Sequence, residues 1–584
     1  LADAAQETLP EDEDLVSQAR DMIEELNAKY PDDEGSTFFL LHRPRRFNAA
    51  ERKWMGYERK RGKLGDLNAL LSNGTADATD RFALIVGNTS ILPDIRFVIT
   101  LDTDTQLARD SARQFVGAMC HPLNRARYDE ARGRVTTGYG ILQPRVAVSL
   151  AGANRSRYAR MCASEVGIDP YTSAVSDVYQ DLFGEGSFIG KGIYDVEIFR
   201  KALDDRFPDN RILSHDLLEG CYARAGLLSD VELYEQYPSR YSEDVSRRHR
   251  WIRGDWQIAR WLMPRVPGAD GRLCKNPISM LSQWKILDNL RRSLTAAALT
   301  LLLILGWTIL PAALFWTTVV LGIILVPFLV DSLVSTFKKP DDVSLGQHLA
   351  ASAGLACQHF GRAAFTLVCL PYEAFFSLDA ILRTIWRMLV THRNLLEWNP
   401  SSNTQSVHVG FASSLRAMWI GPFMAICVAL ALAVSTPQTL PVAGTLLALW
   451  LLSPAIVWWI SRIIPRRQDA LNKEQTLFLR KAARKTWAFF ETFVGPEDQW
   501  LPPDNFQEHP APVVAHRTSP TNMGLALLAN LTACDFGIIS TGKFLDRTMK
   551  TLRTMGTLER YRGHFYNWYD TQTLAPLPPS YISS

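Results

Sequence analysis

Two stretches of this chain, residues 293–334 and 417–460, are almost free of charge, and they limit its fold more than any other feature. A hydrocarbon core about 30 Å thick is crossed by roughly 20 apolar helical residues, and each stretch holds two such lengths. Leu294 to Ile309 and Ala312 to Val330 flank Pro311, while Ala417 to Val434 and Leu440 to Ile460 flank Ser435-Thr436-Pro437-Gln438-Thr439. Two membrane hairpins, residues 291–335 and 417–465, are therefore expected, with four spans in all. Both tips are uncharged, whereas the outer flanks carry Arg291, Arg292, Lys338, Lys339, Arg416, Arg462, Arg466 and Arg467. Basic residues collect on the cytoplasmic side, which predicts that the large aqueous parts are cytoplasmic. Residues 336–416 read as cytoplasmic or interfacial helices. Phe375 to Trp398 places Arg383, Arg387, His392 and Arg393 among Leu, Ile, Trp and Phe, as in a helix lying in the interface; a further span within 351–376 is the alternative.

A chain of 584 residues is too long for one core, and its net charge of +3 gives no reason to expect a nucleic-acid partner. Eight cysteines are scattered without metal-ligand spacing; several, Cys357, Cys369 and Cys427 among them, lie in apolar stretches and read as buried reduced thiols. Residues 1–290 alternate strand and helix signals, an α/β layer pattern. Phe38 to Leu41 and Phe82 to Val86 read as strands, Asp110 to Cys120 as a helix, and Val135 to Val148 as strand broken by Gly138, Gly140 and Pro144. Arg96 to Thr100 reads as a strand that delivers Asp102 and Asp104 at its C-terminal end. Ligands of open α/β sheets bind beyond such ends. Two carboxylates at that point can share Mg²⁺ or Mn²⁺, which then grips a diphosphate. The spacing alone is common, since Asp12-Glu13-Asp14 repeats it in what reads as a solvated helix start.

Further clusters lie in the same region. Gly56 to Asn68 is a glycine-flanked basic loop running into a helix, where backbone N–H groups, the helix dipole and Lys63 would meet a phosphate; a solvated loop is the plain alternative. Phe183 to Tyr194, with Gly184, Glu185 and Gly186, is too rich in glycine for regular structure. It is either a simple turn or a loop whose backbone approaches a ligand. Asp216 starts a helix-like run, as a cap or as a functional carboxylate. Ser246 to Gln257 contains Arg247, Arg250 and Trp251: guanidinium groups suit phosphate and a flat ring suits a sugar, although a helix beside a membrane has the same composition. Residues 466–584 begin a different soluble unit. Helical periods at Leu477 to Phe493 and Met523 to Leu531 alternate there with aromatic loops, as in a carbohydrate-handling helical barrel or in an ordinary helical domain.

In order, Gly62-Lys63, Asp102 and Asp104, the glycine-rich loop, Asp216 and Arg250-Trp251 ahead of a membrane span resemble the processive family-two-like glycosyltransferases of GT-A-type fold. Those carry Gln-x-x-Arg-Trp where this chain has Arg247-Arg248-His249-Arg250-Trp251. A closer resemblance, covering nearly the whole chain, is to the cyclic β-1,2-glucan synthase family. It is carried by Phe39-Leu40-Leu41-His42-Arg43-Pro44-Arg45-Arg46-Phe47-Asn48, Ser214-His215-Asp216-Leu217-Leu218-Glu219-Gly220, His516-Arg517-Thr518-Ser519-Pro520-Thr521-Asn522-Met523-Gly524 and Gly563-His564-Phe565-Tyr566-Asn567-Trp568-Tyr569-Asp570.

The resemblance implies an α/β GT-A-type glycosyltransferase domain over 1–290, N-terminally incomplete. The transmembrane helices would follow, and then the truncated start of a glycoside-hydrolase-like, mainly α-helical domain over 466–584. It implies a multi-pass protein of a bacterial-type inner membrane that transfers glucose, with inversion, from UDP-glucose to a β-glucan acceptor. Asp102 and Asp104 would hold Mg²⁺ or Mn²⁺ and Asp216 would be the general base. Arg250 would contact the diphosphate and Trp251 the acceptor sugar, with Arg247, Lys63 and the Gly184-Glu185-Gly186 loop as further substrate contacts. A cellulose-synthase-like enzyme, and a glycan-binding or export component without catalysis, are the competing readings.

Overall fold

The computed structural model describes residues 2–31, 36–73, 80–108, 110–162, 178–339, 343–398, 410–464 and 471–582; Arg466 and Arg467, expected on a membrane flank, lie outside them. The chain forms two compact units, Leu1–Pro465 and Arg466–Ser584.

The first unit contains a five-stranded mixed sheet: β1 (Phe97–Thr100), β2 (Gln106–Leu107), β3 (Ile141–Val148), β4 (Gly192–Asp195) and β5 (Ala225–Glu235), ordered β1-β4-β3-β5-β2. β4 runs antiparallel to β1 and β3, whereas β5 runs parallel to β3. Hence β1, β3 and β5 end at one edge of the sheet, and β4 begins there. Side chains alternate between the two faces with period two. Ile141 and Tyr194 enter one core with Phe199, Leu218 and Trp261, while their neighbours Leu142 and Ile193 enter another with Phe115, Val231 and Leu233.

Several local expectations change. Leu40–His42 and Leu84–Val86 pair with each other, outside the five-stranded sheet. The expected basic loop is helical: α1 spans Arg59–Asn73, so Lys60 to Lys63 lie in its first turns. A Cβ at Gly62 would meet the Tyr57 carbonyl oxygen at 2.1 Å, so the tight entry into α1 requires glycine there. Asp12 is not solvated but buried, accepting from Arg45 at 3.0 Å. Further along are α2 (Asp216–Ala223), α3 (Tyr241–Gln257), α4 (Met280–Thr308), α5 (Ala313–Phe337), α6 (Leu345–Trp386), α7 (Ile420–Ser435) and α8 (Leu440–Ile460).

Among the described residues, four helices are long and apolar enough to cross a membrane: Met280–Thr308, Ala313–Phe337, Leu345–Thr391 and Pro437–Ile460. Phe411–Ala417 and Ile420–Ser435 form a pair bent by 62° that would make a fifth. The spans therefore differ from two plain hairpins. α4 starts before the expected boundary at residue 290, and the first arm of the second hairpin is the bent pair. Between the hairpins lies α6, one helix of 42 residues. Arg362 on α6 donates to the Met161 carbonyl at 2.7 Å, Glu373 accepts from Arg248 at 3.0 Å, and Asp379 pairs with His249 at 3.0 Å. These contacts tie α6 from Arg362 onward to the α/β part; by length and composition the helix is itself a candidate span, the alternative to an interfacial helix. Its Ala363, Leu367 and Leu370 pack with Leu303, Trp307 and Trp450 of α4 and α8. The buried indole N–H groups there are satisfied: Trp307 donates to Thr317 Oγ1 at 2.8 Å and Trp450 to the Leu367 carbonyl at 3.0 Å.

The second unit has helices Lys473–Phe493, Pro520–Asp535 and Thr541–Thr557, with short two-stranded ribbons such as Arg517–Thr518 against Tyr569–Asp570.

Candidate active site

Asp102 follows β1 directly, in a turn closed by Thr105 N–H donating to the Asp102 carbonyl at 3.0 Å. That turn leads back into β2 and leaves Asp104 exposed at the sheet edge. Lys60, from α1, places Nζ 2.7 Å from Asp102 Oδ1 and 2.7 Å from the Gly190 carbonyl. Lys191, just before β4, lies 3.2 Å from Asp102 Oδ2 and forms a second ion pair with buried Glu235. Thr105 Oγ1 donates to Glu235 at 3.0 Å. Burial would raise the Asp102 carboxyl, but Lys60 and Lys191 outweigh it and hold the group below the ordinary carboxylate value. Burial would likewise depress Lys191, and the charges of Glu235 and Asp102 raise it instead.

One oxygen from each of Asp102, Asp104 and Glu235 lies within 4.8 Å of the other two. Three carboxylate oxygens at a sheet edge are a donor set suited to a hard divalent cation. The two ammonium groups balance part of that charge in the protein itself.

Asp216 is the first residue of α2, and it does not act as a cap: His215 occupies that position without a side-chain cap bond. Gly190 has φ +88°, and a Cβ there would stand 2.6 Å from Asp216 Oδ1. The carboxylate therefore rests directly on the loop backbone whose carbonyl holds Lys60. Asp216 Oδ1 is buried without a hydrogen-bond partner, yet the side chain as a whole keeps 27% of its surface exposed. His215 and Glu219 behind it are both buried, with His215 Nδ1 2.8 Å from Glu219 Oε1 and 3.6 Å from Asp216 Oδ1.

α3 carries the Arg/Trp cluster and uses its faces differently. Arg248 and His249 dock it on α6. Arg247 pairs with Asp244 at 2.9 Å and lies over the Trp251 ring at 4.8 Å. Arg250 lies over the Trp398 ring at 5.6 Å, and Arg59 lies over the same ring at 5.8 Å. Burial and then Arg247 push the Arg250 guanidinium down, while Asp102 opposes them. With Ser246, His249, Arg253, Arg383 and Glu397, Arg250 lines a cleft of about 170 Å³.

No family model matches the chain. Over 590 residues it is 41% identical to the cyclic beta-(1,2)-glucan synthase NdvB of Rhizobium meliloti (strain 1021), a match covering all of this chain and 20% of the relative. This chain belongs to the cyclic β-1,2-glucan synthase family. It spans a fifth of that synthase's length, and the shared sequence runs through the α/β part, the long apolar helices and the second unit alike.

In this chain the structure gathers Asp102, Asp104 and Asp216 around the Gly190-Lys191 dipeptide, but not every expected residue joins them. Lys63 is exposed on α1; packing around it, then the Arg43 and Lys60 charges, push its ammonium below the usual lysine value. The Gly184-Glu185-Gly186 loop is tied to α4 and to Arg224, just after α2. Lys285 on α4 reaches buried Glu185 at 3.2 Å and donates to the Gly186 carbonyl at 2.6 Å, while Arg224 donates to the Gly184 carbonyl at 2.8 Å. The Glu185 carboxylate is thus engaged as the partner of a buried lysine at the foot of a membrane helix. Lys60, Lys191 and Glu235 are the residues that sequence reasoning missed. Glu235 left a signal, since it follows Val231 and Leu233 on the inward face of β5, where a carboxylate needs a buried partner.

Proposed function

We propose that the α/β part of this chain is an inverting glucosyltransferase domain of GT-A type, which extends a β-1,2-linked glucan from UDP-glucose. Its setting is an inner membrane, with the aqueous parts in the cytoplasm. One observation carries the reading: Asp216 rests on the same Gly190-Lys191 segment that contacts Asp102 through Lys60 and Lys191. A carboxylate suited to removing a proton is thereby set beside a group of carboxylates suited to a cation.

In this reading Asp102, Asp104 and Glu235 hold Mg²⁺ or Mn²⁺. When bound, the ion neutralises charge on the diphosphate leaving group. Arg250 orients the diphosphate by charge-assisted hydrogen bonding, and Trp251 stacks on the acceptor sugar. Asp216 takes the proton from the acceptor 2-hydroxyl. The acceptor oxygen then bonds to the anomeric carbon from the face opposite UDP. The bond to UDP breaks, its electron pair leaves with UDP, and α becomes β. General-base assistance of this kind contributes roughly 10²–10⁴-fold.

Asp216→Asn in membranes carrying the full-length synthase is the test. Glucose transfer from UDP-glucose should be abolished while UDP binding persists. Transfer at the wild-type rate by that variant would sink the base assignment. Methylation analysis showing 1,4 in place of 1,2 bonds would return the chain to the cellulose-synthase-like reading.

A further inference from the structure

The loop from Gly184 to Lys191, which sets Gly190 against Asp216, contains neither helix nor strand. One backbone bond, from the Gly186 N–H to the Ala225 carbonyl at 2.9 Å, crosses to β5, and side chains supply further anchors. At the far end, Lys60 Nζ and Thr100 Oγ1 donate to the Gly190 carbonyl at 2.7 and 3.2 Å. In the middle, the Ile189 N–H donates to Gln143 Oε1 at 3.0 Å. At the near end, Lys285 of α4 donates to the Gly186 carbonyl at 2.6 Å. The Glu185 carbonyl stands 3.4 Å and Glu185 Oε1 3.2 Å from the same ammonium. Ser282, on the preceding turn of α4, donates to that carboxylate oxygen at 3.4 Å. Lys285 is 1% exposed, so its ammonium has exchanged water for these acceptors.

Burying an ammonium is costly, and a buried ion pair is often no more stabilising than an apolar pair of similar volume. What lysine adds over an apolar residue is three directed donors, here aimed at loop carbonyls as well as at Glu185. We propose that Lys285 is a positioning residue for glucose transfer. It fixes the near end of the loop and, through it, the places of Gly190 against Asp216 and of Lys191 against Asp102. The inference rests on Asp216 acting as the base. Lys285 touches no reacting atom; its effect passes along the loop. Misplacing a reacting group by about 1 Å can cost roughly 10²-fold in rate, and that is the lever on which such a contact acts. α4 is also one of the helices long and apolar enough to cross a membrane. The same side chain therefore joins the loop beneath Asp216 to a candidate span.

The test compares Lys285→Met, the double variant Lys285→Met/Glu185→Leu and Asp216→Asn in membranes containing the full-length protein. Lys285→Met strands the Glu185 carboxylate and should lower both the unfolding midpoint and the rate. The double variant removes that charge and should regain most of the midpoint. The Gly186 carbonyl still lacks its donor there, so kcat should remain at least about tenfold below wild type. The KM for UDP-glucose should stay within about twofold, because no donor contact is lost. Amide hydrogen exchange over residues 184–191 should rise in the double variant and stay unchanged in the rest of the α/β part. A double variant with midpoint and kcat both at the wild-type level overturns this inference, since a merely structural pair behaves that way. A double variant that fails to regain its midpoint, or whose KM rises in step with the loss of kcat, overturns it too. An active Asp216→Asn overturns the base assignment beneath it, whatever the Lys285 variants show.

Discussion

Lys60 stands 2.7 Å from Asp102 and, with the same ammonium, 2.7 Å from the Gly190 carbonyl, 130 residues away in the chain. A single side chain from the first turn of α1 thus joins the end of β1 to the loop that supports Asp216. Both members of the Lys60–Asp102 pair are partly exposed, at 30% and 40%. Such pairs contribute roughly 0–1 kcal/mol to stability. Lys60→Met should therefore change the thermal midpoint little but lower glucose transfer at least about tenfold, the scale of one lost charge-assisted contact. Initial rates and unfolding curves on the same preparation separate the two effects.

Lys191 and Glu235 are more enclosed, at 12% and 5% exposure. Removing one partner of a buried pair leaves an uncompensated charge and costs about 3–5 kcal/mol. Lys191→Met should destabilise the detergent-solubilised protein on that scale. Adding Glu235→Gln should recover part of the loss, since the stranded carboxylate is then gone. Unfolding of both single variants and the double variant measures the coupling.

The Asp102 carboxyl is depressed in the folded protein. A group of this kind contributes stability that is present above its unfolded value of about 3.9 and is lost as pH falls through the folded value. The contribution of Asp102 to the thermal midpoint should hold steady from neutrality to about pH 5 and decline in more acid solution. Lys60→Met should shrink Asp102's share of that decline, which comparison of midpoints between pH 3 and pH 6 will show.

Arg250 and Trp251 should separate in steady-state kinetics. Loss of a hydrogen bond to a charged group costs about 1.5–3 kcal/mol, so Arg250→Ala should raise the KM for UDP-glucose by roughly ten- to a hundredfold. Trp251→Ala should leave that KM near its wild-type value and raise the acceptor concentration needed for half-maximal rate. The reverse pattern would exchange the two assignments.

Much of the candidate site could be read locally. Asp102 and Asp104 are covalently tied to the end of an apolar β-branched run, so their place beyond a strand follows from that run alone. Asp216 at the start of α2 is legible for the same reason. The basic run at Lys60 to Lys63 was misread as a loop because Gly62 and Gly65 suggest irregular backbone. In the fold, one of them merely admits the Tyr57 carbonyl. The glycine neighbours of Glu185 read as a substrate loop, and nothing local to them announces its partner Lys285, which lies 100 residues ahead on α4.

By itself the sequence determined the apolar helices, the α/β alternation and the position of each aspartate along the chain. These depend on periodicity and covalent order within a few turns. Only the tertiary structure decided that Lys60 and Lys191 share Asp102 and that Glu235 faces Lys191. The register that pairs Gly192 with Thr100 sets Lys191 beside Asp102. Strand order and register are properties of the whole packed sheet, and no local pattern of residues carries them.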